Sequence, residues 1–124
     1  MDLPERDWKQ LQSVHALALD RYCARVLEES RTIIGDHTAS ARDRYLRLYR
    51  LLQDRDEALV AAFDDMRRSR AVPRLAAMLA LKVVTDAELS GFTPHTRESA
   101  LFLDASSRPG HQGGSRQRRA TQGG

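Results

Sequence analysis

Two polar side chains interrupt apolar helical stripes in this chain of 124 residues, and acid–base chemistry would have to start from them. His15 falls between Leu11, Leu19 and Tyr22, and Asp56 falls between Leu52, Leu59 and Phe63. An imidazole beside a carboxylate can pass a proton or grip a polar ligand, and burial tunes both groups for that work. The same residues with Tyr22 also form a self-satisfying polar cluster, and His15, Tyr22 and Asp56 are expected to serve in that structural way. Buried polar groups need partners whatever the function. Arg25 or Arg55 is an alternative partner for Asp56. The other histidines (His37, His95, His111) are dispersed, with no HExxH and no pair at i,i+4, and Cys23 is the single cysteine. No metal centre, cofactor or intrachain disulfide is therefore expected. No glycine-rich phosphate loop or G-x-S-x-G nucleophile context is present. Cys23 reads as an inert packing thiol, since nothing near it in sequence would stabilise a thiolate. The expectation is that the chain is not an enzyme and has no catalytic residue.

The elements that carry these residues read as helices throughout. A first helix is predicted from Pro4 or Glu5 to Ile34, with Glu5 and Asp7 favouring its positive start and Gly35 its exit. Trp8, Leu11, Ala18, Leu19, Tyr22, Val26 and Ile33 share one face at 100° per residue. Val14, Leu17 and Leu27 fall off that stripe and are read as covering either a third helix or a second subunit. Ser40 with Asp43 begins a second helix, whose apolar face is Ala41, Tyr45, Leu48, Tyr49, Leu52, Leu59, Val60, Phe63 and Met66. Its opposite face pairs charges at i,i+4: Asp43 with Arg47, Arg50 with Asp54, and Asp64 with Arg68. A helix that binds phosphates needs uncompensated positive charge, so this one reads as a bundle wall. The charges of "DDMRRSR" complement a helix C-terminus. Pro73 opens a buried third helix with an apolar run from Leu75 to Val84 interrupted only by Lys82, and the Val83-Val84 end alternatively reads as extended. Thr85 and Glu88 form a capping box closed by Gly91, and Thr93-Pro94 starts a last helix reaching about Leu103. Sustained period-two alternation is missing, so no sheet is expected.

The fold class is thus all-α: a compact bundle of two long antiparallel helices, a shorter third helix and one or two short C-terminal ones. The bundle domain is assigned to residues 1–104, and a disordered Gly-, Ser- and Arg-rich tail to residues 105–124. The formal charge of +3 is unevenly placed: all 17 acidic residues lie at or before Asp104, and four of the 20 basic ones (Arg108, Arg116, Arg118, Arg119) lie beyond it. The body is close to neutral, and those four arginines are the candidate nucleic-acid tether. No stretch approaches the roughly 20 apolar residues that span a bilayer, and the polar start "MDLPERDWKQ" is unlike a signal peptide. A cytoplasmic protein with no membrane partner is expected.

The stretches "HALALDRYCARVLEE" and "RYLRLYRLLQDRDEALVAAFDDMRRSRA", with Val84 to Glu98, resemble a group of small bacterial all-helical proteins of no established function. The likeness spans roughly residues 4–103 and implies a bacterial cytosolic helical domain. Some members are labelled as linked to peptide transport. A periplasmic solute binder needs export and two large lobes, and the resemblance carries over no catalytic residue. The first functional expectation is a protein–protein interaction module, binding a protein partner or itself as a homodimer. Its candidate surface is Val14, Leu17 and Leu27 with Leu46 and Leu51. A nucleic-acid accessory role for the tail is the alternative, and an enzyme or small-ligand binder using His15 and Asp56 the third.

Overall fold

The structure is a computed structural model that describes residues 3–107, all of them helical or in short connections. Five α-helices follow one another in the described chain: α1 (Glu5–Ile34), α2 (Ala41–Phe63), α3 (Ala71–Ala80), α4 (Asp86–Ser90) and α5 (Pro94–Ser107). No strand occurs among the described residues. The all-α class holds, with α1 and α2 as the two long elements packed on each other.

Local chemistry explains the boundaries. The Ser40 side chain accepts from the Asp43 amide at the start of α2, and Thr85 and Glu88 complete the predicted capping box of α4. Side chains from neighbouring elements close the opposite ends. Arg44 donates to the Ile34 carbonyl at the end of α1 (2.6 Å), and Arg25 donates to Leu81 and Lys82 beyond α3 (2.7 and 3.1 Å). These cations meet carbonyls that a helix leaves without intrahelical donors, where the dipole is negative.

Three expected boundaries move. Helix α2 stops at Phe63 rather than continuing past Met66, because Asp64 is extended and Asp65 is left-handed at φ 56°. Aspartate tolerates that conformation better than most residues, and Arg67 and Arg70 hold its carboxylate. The basic "MRRSR" run is therefore a connector with a 3-10 turn at Arg68–Arg70, not the charged end of a helix. Helix α3 stops at Ala80, since Lys82 is left-handed at φ 61°, and Val83 instead plugs the core from the connection. Helix α5 continues through Ser107, beyond the expected end near Leu103.

The core joins Leu11, Val14, Ala18 and Tyr22 of α1 to Phe63, Leu75, Met78, Val83, Phe92 and Ala100. Val14, expected on an outer surface, is only 1% exposed. The reason lies in the connection after α3, which crosses that flank of α1. Gln10 donates to the Glu88 carbonyl (2.9 Å) and Arg21 to the Val83 carbonyl (2.9 Å), bracketing Val14 on both sides. Trp8, Leu19 and Val26, expected on the buried stripe, are partly buried and pack against the core. A Cβ on Gly91 would overlap the Gln10 amide and displace it from the Glu88 carbonyl.

Candidate interaction surface

The three residues of the expected polar cluster part company in the structure. His15 places Nε2 2.9 Å from the Phe63 carbonyl oxygen, and its ring meets the Phe63 ring edge-on at 5.5 Å. Tyr22 donates to the Arg55 carbonyl at 2.8 Å. Asp56 is exposed and has no polar partner among the described residues. The expected His15–Asp56 pairing is thus overturned, and with it the only acid–base pair the sequence offered.

The cause is a rotation of α2 by about a quarter turn relative to its apolar stripe. The slot facing α1 belongs to Arg55, one residue before Asp56. Arg55 donates to Glu29 through two bonds of 3.0 and 2.8 Å and also reaches Asp54. The hydrogen bonds to Glu29 raise the Arg55 pKa and hold the Glu29 carboxyl below its usual range. This bidentate pair fastens two walls together, and neither group can exchange a proton near neutrality. The i,i+4 pairs expected along α2 give way to tertiary ones: Arg47 pairs with Asp36 (3.0 Å) and Arg68 with Glu5 (2.8 Å).

Two further polar locks were not foreseen. Asp7 is fully buried and accepts the Thr93 amide (2.8 Å), the Thr93 hydroxyl (2.6 Å) and the Thr96 hydroxyl (2.6 Å). Its carboxylate sits at the positive start of α5, almost the full length of the chain away in sequence. Burial pushes its pKa up, but the hydrogen bonds from Thr93 and Thr96 outweigh that and leave it lowered. Arg21 grips Glu88 with two bonds of 2.7 Å, and with the capping-box bonds this holds the Glu88 carboxyl down at about 2. Both locks order the structure and leave no reactive group spare.

The exposed apolar surface is where the chemistry points next. Leu17 and Leu27 are exposed as expected, Leu27 to 68%. Leu46 and Leu51 are half-buried against the hairpin instead of standing free. The rotation of α2 leaves half of its apolar stripe outside: Tyr45 (67%), Tyr49, Leu52 and Val60 are exposed. Leu27 and Ile34 of α1 share the α1–α2 hairpin's outer side, whereas Leu17 lies on a separate flank. Between the helices a shallow groove of about 230 Å³ is lined by Cys23, Val26, Leu27, Leu52, Asp56 and Leu59. A larger cleft of about 560 Å³ lies between α3 and α5, with Leu3, Val72, Pro73 and Phe102 among its walls. The exposed Phe102 at its rim had no signal in the sequence beyond a weakly amphipathic last helix.

Among the described residues no three His, Cys, Asp or Glu side chains come together as a metal site, and no helix is long and apolar enough to cross a membrane. The arginines Arg108, Arg116, Arg118 and Arg119 lie outside the described residues. No protein-family model, curated protein or solved structure matches the chain.

Proposed function

We propose that the chain is a small cytoplasmic protein–protein interaction module, not an enzyme, that binds a protein partner through the outer face of the α1–α2 hairpin. The observation that carries this reading is the row of six large apolar side chains left exposed on that face: Leu27, Ile34, Tyr45, Tyr49, Leu52 and Val60. A small monomer gains nothing in stability from such a row, and contiguous apolar patches of several hundred Å² mark association sites. The hairpin beneath is stiffened by the Arg55–Glu29 pair and by Tyr22, so the face is preorganised for docking.

A photo-crosslinking residue at Leu52, compared with one at exposed Asp86 on α4, tests the reading in cells. Discrete adducts at Leu52 with none at Asp86 are expected. Equal, diffuse labelling at both positions would remove the reason for choosing this face.

A further inference from the structure

The exposed stripe of α2 has a spacing that nearly matches itself when reversed. Tyr45, Tyr49, Leu52, Asp56 and Val60 lie on one side of the helix at intervals of three and four residues. Turned antiparallel about a point between Leu52 and Gln53, Tyr45 comes level with Val60 and Tyr49 with Asp56, while Leu52 comes level with Gln53, about 1.5 Å of rise from its own copy. An isologous two-fold interface demands this self-complementarity, since each residue must suit the one it faces in the reversed copy. We infer that a second copy of this chain covers the hairpin's outer face, α2 packing antiparallel on its counterpart about a two-fold axis beside Leu52. This rests on the interaction-module reading and names its partner.

Two further observations support the second copy. The first is polar complementarity. Among the described residues Asp56 has no polar partner, and it stands in the middle of an apolar stripe. Tyr49 already accepts a hydrogen bond from Gln53 Nε2 at 3.2 Å, which leaves its hydroxyl proton to donate outward. In the antiparallel register each Tyr49 hydroxyl meets the Asp56 of the other copy, giving two symmetric charge-assisted bonds. A polar residue at one seam position fixes register in helical pairs, because any slip strands it without a partner. The second observation is size. The six exposed side chains of the face offer on the order of 600 Å² per copy, against roughly 800 Å² per partner in an interface of standard size. Neighbouring polar surface at the edge of the seam supplies the difference.

Cysteine crosslinking on the purified full chain reads the register directly, with Cys23→Ser removing the native thiol. Under a mild glutathione redox buffer, Leu52→Cys should yield a disulfide-linked dimer. Tyr45→Cys and Val60→Cys should each stay uncrosslinked alone, yet join when mixed. Tyr49→Phe removes the donor that Asp56 needs and should weaken dimerisation by at least about tenfold. All four positions are exposed in the single chain, so unchanged circular dichroism will show that the variants fold. No covalent dimer at Leu52→Cys, or Tyr45→Cys joining to itself as readily as to Val60→Cys, overturns the proposal. If those results coincide with a discrete in-cell adduct to a different protein at Leu52, the second copy fails while the interaction reading stands. If no in-cell adduct forms either, both fail.

Discussion

Asp7 is fully buried and its carboxylate accepts from three donors at the start of α5. Asp7→Ala strands those donors and should lower stability by about 3 kcal/mol, read from denaturant midpoints. Its folded pKa is lowered, so the stabilisation is present above the unfolded aspartate pKa and is lost as pH falls through the folded value. The native chain should therefore lose stability more steeply in acid than Asp7→Ala, and parallel pH profiles of the two would contradict this. Asp56 gives the opposite expectation. It is exposed and has no polar partner among the described residues, so under conditions where the chain is monomeric Asp56→Ala should change stability by no more than about 0.5 kcal/mol. A clear destabilisation of that monomer would return Asp56 to the core. The sequence marked Asp56 as odd because it interrupts an apolar stripe, but it could not say whether that stripe faces inward. Asp7 went unnoticed as a buried group since an acid in the first turn of a helix already has a local explanation.

Helices were legible where their signals are local, and less so where another element decides. The bounds of α1, the Ser40 cap and the Thr85–Glu88 box follow from side chains within a few residues of each end. The rotation of α2 does not, because its apolar arc is wide enough to accept several orientations. Arg44 and Arg55 choose among them by bonding the Ile34 carbonyl and Glu29 on α1. Val14 was misplaced for a related reason: the segment that covers it arrives from residues 81–93, far away in the chain. The lock between α1 and α4 yields a prediction at this scale. Glu88→Ala removes both the capping box and the Arg21 pair, and should cost about 2 kcal/mol. Amide exchange should quicken across residues 83–92 before it does in α1. Because Glu88 is held down at about 2, its contribution is complete above the usual glutamate range and disappears as pH falls from about 4.5 toward 2. Unchanged exchange in that segment would show that α4 is held by apolar packing alone.

At the scale of the molecule, one side of α1 is fully used by the core, while the outer side of the hairpin is apolar without being covered. Residues 1–104 are close to neutral overall, and Arg47 and Arg55 are paired with Asp36 and Glu29. Leu27 was expected off the buried stripe and is exposed. Tyr45, Tyr49, Leu52 and Val60 were expected in the core, and the rotation of α2 moved them outside to join it. We propose that this joined face is a binding surface closed by a second copy. Sedimentation equilibrium of the full chain at tens of micromolar tests this most directly, alongside a variant carrying Leu27→Glu and Leu52→Glu. The native chain should show twice the single-chain mass of 14.0 kDa. The variant should show the single mass with the same helix content, since both positions are exposed. A native chain that remains at the single mass across the whole concentration range, or a variant that associates as well as the native chain, would contradict it.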